Sequence, residues 1–299
     1  MRRLPCTVFA APVITLLVLA APGLAKPAPT HGNVAYGPHE ATVLDVWLAE
    51  SDEPTPLVVF IHGGGFRGGS KNGVDVKTLT TLLDAGISFA SVEYRFVQVK
   101  RLPAAHHDCA RALQFLRSKA DQWNFDKTRV GAYGGSAGAQ LSMYLAFHDE
   151  MARPDADDPV CRESTRLTAV ATAGGQATMD FDWWIRWLPE YPRPHRDLSE
   201  VFDSETDEER RRIVEEISAL SLLSADDPPL FMTYGMAPDA AVPTDPKRAQ
   251  GWKVHHVIFG VKLRERMDEL GIESDLKYPG ASSKYASVAA FFKSKLLEK

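Results

Sequence analysis

A serine between glycines is the first residue in this chain whose setting suggests chemistry. Gly134-Gly135-Ser136-Ala137-Gly138 follows the small, mostly apolar residues 130–133 and precedes the helix-compatible residues 139–147. A strand that enters a tight turn and leaves it as a helix presents a side chain at the apex, and small neighbours allow that turn to pack closely. A serine presented in this way can attack a carbonyl carbon. Ser136 is therefore the candidate nucleophile, although the pentapeptide alone also fits an ordinary glycine-rich turn.

A second glycine motif favours the catalytic interpretation. The continuous apolar run Leu57–Ile61 leads into His62 and three consecutive glycines. Backbone N–H groups without side chains beside them can approach an oxygen that becomes negative during acyl transfer. We predict an oxyanion hole formed by the N–H groups of Gly64, Gly65 and Ala137, the last at the start of a helix. The glycines match neither the P-loop pattern nor G-x-G-x-x-G, which argues against a nucleotide site.

With both motifs in this order, the chain resembles the α/β-hydrolase superfamily, and within it the esterase and lipase group that carries HGGG and GGSAG. That group includes hormone-sensitive-lipase-like proteins and bacterial feruloyl-esterase-like and acetyl-xylan-esterase-like proteins. The resemblance extends from about Leu44 to the C-terminus and is strongest at His62–Ser70, Leu102–Ala105 and Gly134–Gly138. It implies serine-type hydrolysis of short acyl or aromatic esters, including esters on polysaccharides, without a metal or an organic cofactor.

The resemblance also implies the fold class, α/β, with a mainly parallel sheet, helices on both faces and a lid-like insertion. Alternating strand and helix patterns agree with this expectation. We expect strands near 43–48, 57–61, 87–94, 130–133, 167–173, 230–234 and 273–278, and helices near 74–84, 106–120, 259–270 and 285–296. Residues of about 176–225 interrupt the alternation and contain Trp183, Trp184, Trp187 and Tyr191. This segment is expected to form either a lid whose aromatic side chains contact a sugar or acyl group, or a surface insertion with its own small apolar cluster.

A serine nucleophile needs an imidazole base and a group that orients that base. The resemblance implies the chain order serine, acid, histidine, with the acid in a loop after a strand. Here the loop after Leu230–Tyr234 contains Asp239, the candidate acid, with Asp245 as an alternative. An aspartate after a proline is also a common turn residue, so Asp239 has a structural interpretation as well.

The histidine that the resemblance implies is missing. The loop after the last strand, residues 278–285, contains Ser283 at the aligned position and no histidine. A serine hydroxyl does not titrate near neutral pH, and Lys284 would need a strongly lowered pKa to act as a base. His255 and His256 follow Asp239 in the required order and are the candidate non-standard bases. Three other histidines stay open as alternatives: His106, His107 and His195.

The incomplete triad leaves two functions open. The first is an exported carboxylic-ester hydrolase that uses Ser136 and a base from an unusual place. The second is a catalytically impaired α/β-hydrolase homologue that retains the pocket and binds a ligand or a partner. The retained serine and glycine motifs favour the enzyme.

The N-terminus and the composition indicate where the protein acts, how its domains are arranged and which partners it lacks. Arg2 and Arg3, the apolar stretch Val8–Leu19 and the small residues 23–25 predict a signal peptide over residues 1–25, with export to the periplasm or the extracellular space. An uncleaved membrane anchor is the alternative. We expect a flexible leader over residues 26–40 and one hydrolase domain over residues 41–299. The formal net charge of -5 argues against nucleic acid or an anionic membrane as a partner.

Two cysteines remain after the predicted signal peptide, Cys109 and Cys161. Export would permit a disulfide, but two cysteines far apart in sequence do not establish one. Their spacing matches no metal motif.

Overall fold

An eight-stranded sheet organises the residues that the computed structural model describes, 25–298, in the order β1-β2-β4-β3-β5-β6-β7-β8. The predicted signal peptide lies almost wholly outside these residues. The pairs β1–β2 and β2–β4 are antiparallel, and the other neighbours are parallel. The strands are β1 (His31–Ala35), β2 (Val43–Trp47), β3 (Thr55–Ile61), β4 (Ser88–Val92), β5 (Phe125–Gly135), β6 (Ala169–Ala173), β7 (Leu230–Thr233) and β8 (Ser274–Lys277).

Helices connect the parallel strands and cover both faces of the sheet. They are α1 (Val76–Leu83), α2 (Ala104–Ser118), α3 (Ala120–Trp123), α4 (Ala137–Phe147), α5 (Phe181–Trp187), α6 (Asp207–Ile217), α7 (Ala219–Leu222), α8 (Pro246–Val254), α9 (Ile258–Leu270) and α10 (Val288–Leu296). Short 3-10 turns lie at Lys71–Gly73, Pro159–Arg162 and Leu198–Glu200.

The central strand β3 shows why the apolar runs of this sequence are continuous. Successive side chains of a strand point to opposite faces of the sheet. Leu57, Val59 and Ile61 pack in one core cluster, whereas Val58 and Phe60 pack in the other. Both faces of β3 are therefore covered, as expected for a parallel sheet between two helical layers.

Residues 31–35, which lie within the segment expected to be a flexible leader, form a strand. These residues form β1, which pairs with β2 at the antiparallel edge, and the Trp47 indole nitrogen donates to the Pro27 carbonyl at 2.9 Å. The sequence of β1 is not an alternating apolar pattern, because backbone pairing at a sheet edge needs little side-chain burial. The closing helix also begins later than expected, at Val288, so Tyr285 lies in the preceding loop.

Three further findings concern the described residues. Cys109 is buried, Cys161 is half-buried, and both are free thiols, so they do not form a disulfide. Between residues 25 and 298 no helix combines the length and the apolar character needed to cross a membrane. The same part of the chain contains no cluster of three or more histidine, cysteine or acidic side chains arranged to hold a metal ion.

Candidate active site

Ser136 lies at a sharp turn between β5 and α4. Its backbone angles, φ 54° and ψ −120°, fall outside the regions that non-glycine residues usually occupy. Such strain is typical of a nucleophile that must project from a strand-to-helix turn. Glycine is required on either side: a Cβ on Gly134 or on Gly138 would overlap the carbonyl oxygen of Ile61 in β3. The geometry therefore agrees with the predicted turn.

The imidazole that reaches this serine belongs to His255. Its Nε2 lies 2.9 Å from the Ser136 Oγ, and its Nδ1 lies 2.8 Å from the carbonyl oxygen of Gly251. A carbonyl can only accept a hydrogen bond, so in the neutral ring Nδ1 carries the proton. Nε2 then has its lone pair directed at the hydroxyl of Ser136. This is the tautomer that a general base needs.

Two elements hold His255 in place. It terminates α8, and its ring packs against Gly174 just after β6, where a Cβ would lie 3.3 to 3.5 Å from the ring and φ is 57°. The Gln176 amide donates to the Val254 carbonyl at 2.6 Å, which ties the end of α8 to the same segment. The C-terminal end of α8 is thereby fixed against the sheet edge that carries Ser136.

The glycine loop after β3 contains backbone N–H groups that lack acceptors among the described residues. Gly64 and Gly65 have positive φ values of 115° and 62°. Within residues 25–298 their N–H groups have no hydrogen-bond acceptor, and neither does that of Ala137, the first residue of α4. An unpaired N–H group at a helix start attracts negative charge.

His62 supports this loop and does not approach Ser136. Its ring lies 2.9 Å from the Glu93 carboxylate through Nε2 and stacks on Tyr94, whose hydroxyl donates to the His62 carbonyl at 2.9 Å. Glu93 also accepts from the Lys71 N–H at 3.0 Å. These contacts tie the glycine loop to the end of β4.

A small cavity of about 40 Å³ opens beside Ser136. This volume is small beside the roughly 300–1,000 Å³ of common ligand pockets. Most of its wall is apolar and comes from the region predicted as a lid. The apolar lining residues are Phe66, Ala137, Met179, Phe181, Trp184, Val201 and Val254. Of the predicted aromatic platform only Trp184 reaches the cavity, while Trp187 is exposed on the surface.

The structure does not bring the predicted acid to the base. Asp239 is exposed and forms no hydrogen bond or ion pair with any residue between 25 and 298. Asp245, the alternative acid, caps α8 and accepts from the Arg248 N–H at 2.8 Å. Asp239 does not reach the base because His255 lies at the end of α8, where its Nδ1 already donates to the Gly251 carbonyl. The predicted role of Asp239 is therefore not supported.

The other candidate bases have different partners. His256 is buried, and its Nδ1 accepts from the Ile258 N–H at 3.1 Å. His107 lies 2.8 Å from the Glu216 carboxylate on the surface. His195 lines the cavity, but its Nδ1 lies 2.6 Å from the Tyr191 hydroxyl, and burial lowers its pKa to about 4. Of these histidines, none has Ser136 as a hydrogen-bond partner.

The aligned position of the missing histidine has a structural role. The Ser283 hydroxyl donates to the Asp275 carboxylate at 2.8 Å, and the Tyr285 N–H donates to the same carboxylate at 3.2 Å. Ser283 thus braces the loop after β8. The chain order serine, aspartate, histidine was the signal that pointed to His255, whereas Gly251 and Gln176 act through contacts that no sequence motif indicates.

His106 is also enclosed, which gives a prediction for stability. Its Nε2 lies 2.6 Å from the Gln140 amide oxygen, and burial lowers its pKa to about 3 from 6.5. Between about pH 3 and pH 6.5 the His106 ring is largely protonated in the unfolded chain and neutral in the folded protein. The stability is therefore fully present above about pH 6.5 and falls as the pH drops toward 3. At pH 5 this effect of His106 lowers the free energy of unfolding by about 2 kcal/mol.

Urea unfolding at pH 7.5 and pH 5 measures this contribution. His106→Gln, which retains an N–H donor, is expected to reduce the difference in unfolding free energy between the two pH values by most of that amount. An equal pH dependence in both proteins would contradict a neutral, buried His106.

The sheet order, the serine turn and the glycine loop together define an α/β-hydrolase. A family model described as BD-FAE matches residues 44–249, more than half of the chain, and this chain belongs to that family. The matched range ends before His255 and before Ser283.

Solved structures share the fold. One is described as a truncated form of a carbohydrate esterase from gut microbiota, with 20% identity, a TM-score of 0.69, and coverage of 92% of this chain and 100% of that one. A second is a thermophilic esterase from Thermogutta terrifontis, with 18% identity, a TM-score of 0.59, and coverage of 89% and 90%.

Curated relatives have similar names. Esterase LipC of Mycobacterium tuberculosis is 26% identical over 219 residues, which is 73% of this chain and 53% of that protein. Ethyl acetate hydrolase of Pseudomonas putida is 32% identical over 89 residues, 30% of this chain and 28% of that protein. The matched regions thus span about half of the first relative and less than a third of the second.

Proposed function

We propose that this chain is an exported serine-type carboxylic-ester hydrolase in which Ser136 is the nucleophile and His255 is the general base. One observation carries the proposal: the 2.9 Å contact between His255 Nε2 and Ser136 Oγ, in a ring whose Nδ1 faces a carbonyl oxygen. The esterase names of the relatives and of the structural neighbours support the same reaction class.

The first half of the reaction forms an acyl-enzyme. The Oγ of Ser136 attacks the ester carbonyl carbon while His255 Nε2 takes the hydroxyl proton. The carbonyl oxygen becomes negative and accepts from the N–H groups of Gly64, Gly65 and Ala137. When the tetrahedral species collapses, the bond to the alcohol oxygen breaks, and His255 gives its proton to that oxygen. A free alcohol leaves, and the acyl group remains on Ser136.

Water completes the cycle. It loses a proton to His255 as its oxygen attacks the acyl carbon, and the same N–H groups hold the oxyanion. The bond to the Ser136 Oγ then breaks, the serine regains its proton from His255, and the carboxylic acid is released. Every proton in this scheme moves through one imidazole, so no metal or organic cofactor has a step to perform.

The cavity favours a short acyl group. A space of about 40 Å³ beside the serine suits an acetyl group better than a long acyl chain. An acetylated carbohydrate is one alcohol portion consistent with the carbohydrate esterase among the structural neighbours. The opening of the cavity, and not its interior, would face the sugar.

A chemical probe tests the proposal. Residues 26–299 would be treated with a fluorophosphonate and, separately, with 4-nitrophenyl acetate, alongside Ser136→Ala. We expect labelling and turnover that Ser136→Ala abolishes. A folded protein with neither reaction would instead support the second function, a binding protein. The lack of a carboxylate partner for His255 among residues 25–298 favours that alternative.

Export is a separate part of the proposal and rests on residues 1–25. The full chain would be expressed in a bacterial host, and the N-terminus of the protein outside the cytoplasm would be sequenced. Cleavage after Ala25 is the expected result. Retention of Met1 in a membrane fraction would show an uncleaved anchor.

A further inference from the structure

The guanidinium of Arg196 lies on the wall of the catalytic cavity and has no carboxylate partner among residues 25–298. Arg196 belongs to the lid region, is half-buried and lines the cavity beside Gly65. Its Nη1 donates to the Gly65 carbonyl at 2.7 Å, and a Cβ on Gly65 would overlap its Nη2. The cation is therefore in contact with the loop that carries the predicted oxyanion donors.

The nearby charges do not neutralise this cation. Glu200 pairs with Arg67 at 2.6 Å, and the Asp197 carboxylate accepts from the Ser199 N–H and hydroxyl at 2.9 and 2.7 Å. Within the described residues Arg196 forms no ion pair. Burial, and secondarily Arg67, lower the pKa of its guanidinium. A partly buried cation without an anion costs free energy unless a ligand supplies the anion.

The position of Arg196 indicates which part of a substrate would meet it. The side chain lines the apolar cavity of about 40 Å³ and also an outer depression of about 490 Å³. The other charged residues of that depression are Glu190, Arg193, Asp197 and Lys253. The inner cavity fits a short acyl group. The alcohol portion of the same ester would therefore extend past Arg196 into the outer depression.

We propose that Arg196 binds an anionic group on the alcohol portion, so that the preferred substrates are short acyl esters of hydroxy acids or of acidic sugars. This inference rests on the proposed function and specifies its substrate. A guanidinium presents several N–H donors in one plane, and with Nη1 on Gly65 the remaining donors suit a carboxylate.

A matched pair of acetyl esters tests the proposal. Acetoxyacetate carries a carboxylate on its alcohol portion, and acetoxyacetamide has nearly the same shape without the charge. The ratio of their kcat/KM values, measured by acetate release, would be compared between wild type and Arg196→Gln, so that intrinsic reactivity cancels. We expect this ratio to fall by about tenfold or more in the variant, since the lost contact is charge-assisted.

Two further variants are matched controls. Arg196→Lys retains the charge and is expected to preserve part of the preference. Arg186→Gln removes an exposed arginine of the lid region that lines neither the cavity nor the outer depression, and is expected to leave the ratio at its wild-type value. High salt should reduce the wild-type preference. An unchanged ratio in Arg196→Gln, or an equal loss for both esters, would overturn the proposal.

A binding experiment separates this proposal from the proposed function. In the Ser136→Ala background, calorimetry should show acetoxyacetate binding more tightly than acetoxyacetamide, and Arg196→Gln should remove the difference. This result would support the anion site even if the wild-type protein proved inactive. Equal binding of the two esters would reject the site even if Ser136 proved to be an active nucleophile.

Discussion

Replacement of His255 by alanine is expected to lower kcat/KM for a short acyl ester by about 10²- to 10⁴-fold, the range that general bases contribute. The physical reason is that Ser136 then has no proton acceptor, because His255 is the histidine that contacts it. The measurement is the hydrolysis of 4-nitrophenyl acetate at pH 7.5, with folding checked by circular dichroism. Ser136→Ala should be at least as severe.

Three comparisons make this result specific. His256→Ala changes the adjacent histidine, whose Nδ1 accepts from a backbone N–H, and should retain most activity per folded molecule. Asp239→Asn should change kcat/KM by less than about threefold, since the side chain is exposed and has no contact with His255. Residues that act as one unit are not additive, so Ser136→Ala with His255→Ala should resemble the single variants. A severe loss in Asp239→Asn, or near-normal activity in His255→Ala, would contradict the Ser136–His255 pair.

A base held by a main-chain carbonyl differs from one held by a carboxylate. The Gly251 carbonyl fixes the tautomer of His255, but it carries no full negative charge to stabilise the imidazolium that forms during the reaction. The carbonyl can therefore orient the imidazole as the carboxylate of a triad does, but it stabilises the positive charge on that ring much less. On this view the retained serine and glycine loop are compatible with catalysis at a lower rate than a complete triad would give.

The sequence predicted those features that depend on local steric rules. The turn at Ser136 requires glycine at 134 and 138 because the backbone of Ile61 passes close to both, and this requirement is visible as a motif. The buried parallel strands were likewise evident as apolar runs. The edge strand β1 was missed, because its pairing depends on backbone hydrogen bonds and not on a side-chain pattern.

The base was harder to predict, since its position depends on tertiary packing. His255 reaches Ser136 because α8 ends against Gly174 and Gln176, residues that follow a different strand. Nothing in the local sequence of residues 246–255 encodes that contact. Chain order alone kept His255 and His256 as candidates, and only the path of the end of α8 distinguishes them. Asp239 shows the opposite outcome, because a position that fits the expected loop does not place its carboxylate beside His255.

Gly64→Ala is expected to reduce kcat/KM by about 10²- to 10³-fold, the loss that follows removal of an oxyanion donor. Gly64 has a φ of 115°, and an added Cβ would overlap the backbone carbonyl of Gly68. Backbone cannot move aside as a flexible side chain can, so the loop must shift and carry the N–H groups of residues 64 and 65 with it. The reacting serine and His255 would remain paired.

Gly68→Ala is the matched control for this loop. An added Cβ there meets no atom within 4 Å, so activity should stay within about threefold of wild type. Fluorophosphonate labelling and ester turnover would be measured for both variants at equal folded concentration. Because the Ser136–His255 contact lies outside this loop, the loss in Gly64→Ala at equal folded concentration should appear in the rate of acylation. Equal activity of the two variants would show that the N–H groups of the glycine loop do not hold the oxyanion.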